Sequence, residues 1–321
     1  MEIEIKSSKV FYIINKHVSE EMRTWVIIVT VIISIASALG LGVYCFLKPN
    51  KTVDELKGQN RVEQPNREGT VVCAIAKNEE LYLKEWTQYY LDGLGVNSIC
   101  IYDNSDNHVL ESFFDDARIK VIHFPGAKQQ IPAYNHFLKS DMKHQWAIVV
   151  DCGEFIVIPK PYDLNTFLNE HISEGNGLYL QWKLFGDSGL THYDERPVTQ
   201  RFRRCQETFF GLGKSIVPLG SNAIFENPHS VTNLPLYDVE NNIVIQPHHS
   251  KPSRDYVPAW IAHYFTKTHE EFMKKRARGC ADNGLVRHES DFEANNKNKV
   301  KNDEPYNIYI HSQEERSLRT V

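Results

Sequence analysis

The chain has 321 residues, a formal net charge of −5 and 41% hydrophobic residues, which is ordinary for a globular protein. The acidic balance argues against bulk binding of nucleic acid. Its six cysteines show no Cys-x-x-Cys spacing, which argues against a structural zinc site and against a dense disulfide framework. The length allows one large domain or two small ones.

A charge-free apolar segment, Trp25–Leu47, is 23 residues long, and roughly 20 are enough to cross a bilayer as a helix. We predict an uncleaved transmembrane anchor here, preceded by an N-terminal tail over residues 1–24. A cleaved signal peptide is the alternative, because Ala36–Ala38 resembles a cleavage site. The apolar segment continues past these residues to Leu47, which favours the anchor. Four basic residues precede the segment and four follow it up to Arg61, so charge does not indicate its orientation.

Three further regions follow the anchor. Residues 48–69 are polar and aperiodic, which predicts a flexible stem. A single folded domain is predicted over residues 70–289. Residues 290–321 are charged and rich in Asn, and we interpret them as a C-terminal tail.

The first half of the domain alternates strands with helices, which predicts βαβ units and a mainly parallel sheet of the α/β class. A helix after the first strand carries Leu83, Trp86, Tyr90 and Leu94 on one face. The predicted strands are Thr70–Ala76, Ser98–Tyr102, Ile119–Phe124, Trp146–Val150 and Phe155–Ile158, and a second helix is predicted over Ala127–Leu138.

Polar residues follow three of these strands, namely Asn78, Asp103 and Asp151. Because the carboxyl ends of parallel strands share one edge, where ligands bind in open α/β sheets, we expect a site there. Asp151 and Glu154 lie between two apolar runs, and acids in such a place are costly unless they face a cleft, a metal or a cation. Their oxygens suit a hard divalent cation that carries a phosphorylated ligand. A polar turn with a salt bridge is the alternative.

Several short motifs, in this order, resemble a membrane-anchored glycosyltransferase of family 92, a group related to family 2. The resemblance covers residues 70–284 approximately. The motifs are AKNE at Ala76–Glu79, EW at Glu85–Trp86, IYDNSD at Ile101–Asp106, DCGEFI at Asp151–Ile156, WKLFGDSG at Trp182–Gly189, QRFRR at Gln200–Arg204, KSIV at Lys214–Val217 and HYFTKTHEEFMKKRARG at His263–Gly279.

The resemblance implies a GT-A-type fold, a nucleotide-sugar donor, a glycan acceptor and a manganese or magnesium ion. In the family, an Asp-x-Asp-Glu motif holds the metal against the donor diphosphate. Asp151 and Glu154 match its first Asp and its Glu, whereas Gly153 stands where the second Asp is expected. This departure removes one ligand and part of the charge stabilisation that a metal would give the leaving nucleotide. His263 matches a late metal ligand, and a structural His among aromatics is the alternative.

The resemblance also suggests three substrate-binding residues. Asn78 and Glu79 resemble the loop that meets the nucleotide, and a helix N-terminus is the alternative for both. Asp103 resembles an acid near the base or ribose, and an Asp-Asn turn is its alternative. Thr268–Glu271 is interpreted as a capping box that opens a helix. The basic residues of that helix, Lys274, Lys275, Arg276 and Arg278, are interpreted as a solvated face from which one cation could reach the diphosphate.

The catalytic base is the remaining candidate. Inverting transfer needs a group that takes a proton from the acceptor hydroxyl. Asp187 is our candidate because its FGDSG loop is expected to face the acceptor, although the family carries a small polar residue there. Asp194 and Glu195 are rivals.

The sequence therefore predicts a single-pass membrane enzyme that moves a hexose from a nucleotide-diphosphate sugar to a glycan hydroxyl, with inversion. In a eukaryotic cell its catalytic domain would face the lumen of the Golgi or the endoplasmic reticulum. One rival is a non-catalytic protein of the same fold that binds a glycan or a partner, which Gly153 favours. The other is a metal-dependent hydrolase that uses Asp151, Glu154 and His263.

Overall fold

The computed structural model of the chain describes residues 67–108, 110–244 and 257–319. The predicted tail (1–24), the anchor Trp25–Leu47 and nearly all of the stem lie outside these residues. Within the part that is described, no helix combines the length and apolar character needed to cross a membrane.

The domain is a mixed α/β structure built on one nine-stranded sheet, whose main path runs in the order β3-β2-β1-β4-β8-β6-β12-β5, with β11 beside β6. The strands are β1 (Thr70–Ala76), β2 (Ser98–Asp103), β3 (Ile119–His123), β4 (Trp146–Val149), β5 (Glu154–Val157), β6 (Gly177–Leu184), β7 (Arg204–Cys205), β8 (Phe210–Pro218), β9 (Ile224–Phe225), β10 (Val231–Thr232), β11 (Leu236–Tyr237), β12 (Trp260–His263) and β13 (Val300–Lys301). The helices are α1 (Glu80–Gln88, continued as a π-helix over Tyr89–Gly93), α2 (Gln130–Leu138), α3 (Leu164–His171), α4 (Val198–Arg201), α5 (His269–Ala277), α6 (Ser290–Asn295) and α7 (Glu304–Arg319).

The strands predicted in the first half of the domain are confirmed. β1 runs parallel to β2 and to β4, and β2 runs parallel to β3. β1 is buried along its whole length, as its continuous apolar sequence predicts for a strand covered on both faces. The rest of the sheet is less parallel than expected. β8 lies antiparallel between β4 and β6, and β5 lies antiparallel to β12. The mainly parallel sheet is therefore corrected to a mixed one.

The apolar face predicted for the first helix is confirmed, since Leu83, Trp86, Tyr90 and Leu94 are all fully buried. This face also fixes the position of β5. The indole nitrogen of Trp86 and the hydroxyl of Tyr90 both donate to the carbonyl of Glu154, at 3.1 and 3.0 Å. The strand that follows Asp151 is thus held by specific hydrogen bonds as well as by packing.

The predicted charged tail is part of the fold, and this corrects the boundary at residue 289. α7 packs against the π-helical end of α1, with Ile308 fully buried. The contact is close, because a Cβ at Gly93 would lie only 3.1 Å from the Ile308 carbonyl oxygen. The apolar positions of α7 are sparse among charged ones, which is why composition alone suggested a solvated segment.

Candidate functional site

A cleft of about 630 Å³ opens at the carboxyl ends of β1 and β4. Asp151 and Gly153 line it from the β4–β5 turn, and His263 lines it from the end of β12. Basic side chains line it in greater number than acidic ones: they are Lys77, Lys128, Lys267, Lys275, Arg278 and Arg287, against Glu79, Asp106, Asp151 and Asp282. The cleft thus lies at the strand ends where the sequence predicts a site.

Asp151 is held by three polar side chains, all of which meet its Oδ1 atom. Gln130 Nε2 donates to it at 2.8 Å and the Tyr134 hydroxyl at 3.0 Å. The ammonium of Lys214, from the middle of β8, forms an ion pair with it at 3.2 Å. The pKa of Asp151 is lowered, since burial raises it but the charge of Lys214 outweighs that effect. The side chain is 38% exposed, so this ionised carboxylate faces the cleft.

Glu154 is fully buried at the start of β5 and does not line the cleft. Its Oε2 accepts a hydrogen bond from the backbone N–H of Asp151 at 2.8 Å, with Lys214 Nζ 3.7 Å away. Burial, opposed by Lys214 and aided by the charge of Asp151, raises the pKa of Glu154 to about 8. The raised pKa favours the protonated form of Glu154, and its hydrogen bond to the Asp151 backbone holds the turn.

His263 is the register partner of Glu154 across β12 and β5. Its Nδ1 lies 3.9 Å from Glu154 Oε1, and among the described residues neither atom has a hydrogen-bond partner. Its ring is 4.3 Å from that of Trp182. Burial, together with the nearby charge of Lys275, holds the pKa of His263 well below its usual range, so the imidazole is neutral.

These three residues do not fit the metal site expected from the sequence. A protein site for a hard divalent cation is built mainly from carboxylate and other oxygen ligands, but Glu154 is fully buried and does not line the cleft. An ammonium group, Lys214, already lies between the two acids. No group of three potential metal ligands converges anywhere in residues 67–108, 110–244 and 257–319. Of the three expected ligands, Asp151 alone offers a carboxylate to the cleft.

The loop after β1 reaches the cleft through Glu79. This buried residue forms an ion pair with Arg278, which also donates to the carbonyl of Lys77. Burial acts to raise the pKa of Glu79, but the charges of Arg278 and Lys267 lower it. Asn78 has a left-handed backbone (φ 54°) and does not line the cleft. The N-cap of α1 is Glu79 without a side-chain cap bond, so Asn78 is not the cap considered from the sequence.

Asp103 lies next to the cleft but does not line it. It is buried, and its Oδ1 accepts from the backbone N–H of Ser105 at 2.9 Å, while Oδ2 accepts from that of Leu110 at 3.3 Å. The structure therefore places Asp103 in a turn-forming position. Its neighbours Asn104 and Asp106 line the cleft instead.

Asp187 is not brought to the cleft. Its carboxylate accepts from the side chains of Asn296 and Asn298, at 2.8 and 3.0 Å, and from the backbone N–H of Gly189 at 2.8 Å. These contacts tie the FGDSG loop to the segment between α6 and β13. The arrangement accounts for an Asp at this position without any role in proton transfer.

Two basic residues of the site, Lys214 and Lys267, were given no role by the sequence. Lys214 was visible only as part of a short motif, and Lys267 only as the residue before a helix cap. On α5 the solvated face is confirmed for Lys274, which pairs with Glu270 at 2.7 Å while 64% exposed. Lys275 and Arg278, by contrast, line the cleft. Spacing alone does not separate these faces, since Arg278 lies three residues from Lys275 and four from Lys274.

Comparisons with known proteins agree with the resemblance seen in the motifs. No model of a protein family matches the chain. A glycosyltransferase family 92 protein of Ricinus communis is 28% identical over 166 residues, which is 49% of this chain and 29% of that protein. A glycosyltransferase family 92 protein of Oryza sativa subsp. japonica is 29% identical over 136 residues, 40% of this chain and 23% of that protein. These relatives confirm the predicted resemblance to glycosyltransferase family 92.

The matches span less than a third of those curated relatives. Among solved structures, S. aureus TarS 1–349 aligns with a TM-score of 0.32 at 17% identity, covering 47% of each chain. The same protein in complex with UDP aligns with a TM-score of 0.29 at 18% identity, covering 39% of this chain and 38% of that one.

Proposed function

We propose that the chain is a glycosyltransferase with a GT-A-type domain, which moves a hexose from a nucleotide-diphosphate sugar to a glycan hydroxyl group with inversion. One observation carries the proposal. An ionised carboxylate, Asp151, faces a cleft whose lining is mostly basic, at the strand ends where α/β sheets bind ligands. The similarity to family 92 proteins supports it.

The chemistry needs a leaving group to be stabilised. The bond between the anomeric carbon and the β-phosphate oxygen breaks, and its electron pair leaves with the nucleoside diphosphate. The acceptor oxygen forms the new bond to that carbon, and its proton passes to solvent. Fixed cations aimed at the developing charge lower the barrier most in a site that excludes water. The cleft supplies such cations in Lys267, Lys275 and Arg278.

The remaining walls suit a sugar. Trp182, Phe210 and Phe265 line the cleft beside the cations, and ligand sites combine aromatic walls with a few placed polar groups. Asp151, whose lowered pKa makes it a weak base, is assigned to orienting the donor sugar by accepting hydrogen bonds from its hydroxyls. Asp187 has no part in this proposal because it is bound outside the cleft.

We further propose that Trp25–Leu47 anchors the protein in the membrane as a single span, with the domain in the lumen of the Golgi or the endoplasmic reticulum. The length and apolar character of that segment support this.

Turnover of nucleotide sugars tests the proposed activity. The purified chain is incubated with labelled UDP- and GDP-hexoses and a glycan library, and release of nucleotide and labelled glycan are both measured. We expect labelled glycan from the wild type and loss of at least about a hundredfold in rate with Asp151→Asn, the size of effect typical for removing one transition-state contact. Asp187→Asn is the matched control and should keep its rate.

Three results would separate the alternatives. Release of free hexose without glycan labelling would favour the hydrolase. Binding of a glycan with no turnover of any donor would favour the non-catalytic protein. An equal loss of rate with Asp151→Asn and Asp187→Asn would contradict the assignment of the cleft as the active site.

A further inference from the structure

Gly153 lies beside a lysine ammonium group. A Cβ atom at this position would be 3.7 Å from Lys267 Nζ and 3.3 Å from the carbonyl oxygen of Tyr264. Gly153 is not among the glycines with positive φ, so a left-handed backbone does not explain the glycine. A cation thus stands next to the place where the related acidic motif carries its second carboxylate.

Lys267 is fixed in this position by its surroundings. It is 5% exposed, lines the cleft, and has a left-handed backbone with φ 53°. Such a conformation is uncommon outside glycine and costs energy, which functional sites often retain. The next residue, Thr268, begins α5 with a complete capping box to Glu271, as predicted from the sequence. Lys267 Nζ lies 4.1 Å from the centre of the Tyr82 ring. The side chain is held rather than free to swing.

Lys275 and Arg278 approach the same region from α5. Arg278 forms an ion pair with Glu79, and Lys275 Nζ donates to the carbonyl of Phe265 at 3.1 Å. In the described residues, no carboxylate lies within ion-pair distance of Lys267 or Lys275, whereas Arg278 and Lys77 each have one. The cluster therefore holds more positive charge than its own acids balance.

The electrostatics of Lys275 show the same imbalance. Burial, and then the charges of Arg287, Lys267 and Arg278, hold its pKa well below the usual range. Crowded cations that repel one another are stabilised when an anion binds between them. A diphosphate carries several charges on neighbouring oxygens, and Lys and Arg are the side chains that bind such groups.

Resting on the proposed function, we propose that Lys267, Lys275 and Arg278 bind the diphosphate of the nucleotide donor directly, and that this binding requires no divalent cation. The lysine beside Gly153 supplies the charge that a carboxylate-bound metal would supply in the related motif. The buried Lys214 lies between Asp151 and Glu154, and of these two acids only Asp151 lines the cleft, which leaves one carboxylate there instead of the pair that the metal-binding motif provides.

Calorimetric titration of the purified full chain tests this inference. UDP and GDP are titrated separately in buffer with EDTA and in buffer with manganese. We expect one of them to bind with a Kd that differs by less than about threefold between the two buffers, or about 0.6 kcal/mol. Lys267→Met should weaken binding in EDTA by at least about tenfold, and Lys267→Arg should restore most of it. Lys274→Ala, on the exposed face of the same helix, is the matched control and should bind like the wild type.

Each other outcome is decisive. Binding that appears only with manganese would overturn the inference and leave the proposed function in place. Equal affinity of wild type and a folded Lys267→Met, judged by circular dichroism, would also overturn it. A folded wild type that binds neither nucleotide in either buffer would remove the proposed function as well. If Lys267→Met fails to fold, the comparison of the two buffers for wild type and Lys267→Arg still decides the metal requirement.

Discussion

Lys214 Nζ lies 3.2 Å from Asp151 Oδ1, and the lysine side chain is only 1% exposed. The ammonium group reaches the acidic turn from β8, which pairs with β4 in antiparallel register. A buried cation in contact with the acid that faces the cleft determines the charge of the acidic turn. The pKa of Asp151 is lowered and that of Glu154 is raised, and the ion pair Lys214–Asp151 is neutral as a unit.

Removal of this buried cation should destabilise the domain. Lys214→Met should lower the free energy of unfolding by about 3 kcal/mol, the low end for breaking a buried ion pair. The low end is expected because Asp151 is partly exposed and Glu154 can keep its proton. Urea denaturation of both proteins measures the difference. Adding Asp151→Asn to Lys214→Met should recover part of the loss, and a purely additive double variant would contradict the coupling.

Glu154 should make stability depend on pH. Its pKa is raised to about 8 in the folded protein, while the pKa of an unfolded Glu is about 4.3. The folded chain thus binds the extra proton between these values, and stability falls as pH rises through that window. Glu154→Gln removes the effect, so its melting temperature relative to wild type should rise from pH 5 to pH 8. A constant difference across this range would show that Glu154 is ionised in the fold.

Gly153→Asp separates the two accounts of the acidic turn. The new carboxylate would lie next to Lys267 Nζ and close to the Tyr264 carbonyl. If Lys267 binds the diphosphate, the change should neutralise it and weaken nucleotide binding in EDTA by about tenfold or more, since each 1.4 kcal/mol is tenfold. Gly153→Ala provides the steric control. Tighter binding of the nucleotide to Gly153→Asp in manganese than to wild type would instead favour a metal site that lacks one ligand.

The segment Trp25–Leu47 should hold the full chain in membranes. Because about 20 apolar residues suffice for a stable span, we expect the protein to stay in the pellet after extraction with alkaline carbonate. A chain that begins at Lys57 should be recovered in the supernatant and remain folded. Full-length protein in the supernatant, or a mature N-terminus just after Ala38, would show that the segment is not an anchor.

The sequence predicts local elements of this fold better than its long-range contacts. β1 has the predicted bounds, and the buried face of α1 and the capping box at Thr268 are as expected, because periodicity and capping are local. The change from apolar to acidic residues at Asp151, two residues after β4, also identifies the edge where the cleft lies. The contact between Lys214 and Asp151 could not be predicted from the sequence, because it depends on the position of β8 between β4 and β6 in the sheet. The place of Lys267 beside Gly153 depends likewise on the packing of β12 against β5.

Sugar transfer in the absence of free metal tests the central claim most directly. The purified chain, its labelled donor and the glycan acceptor are incubated in EDTA, and the mass of the glycan product is measured for wild type and Asp151→Asn. We predict a product one hexose heavier with the wild type, formed at a rate within about threefold of that in manganese, and strongly reduced formation with Asp151→Asn. Product that forms only when manganese is added would contradict the lysine-based site. The absence of glycan product in both buffers, from folded protein across all donors, would contradict the transferase.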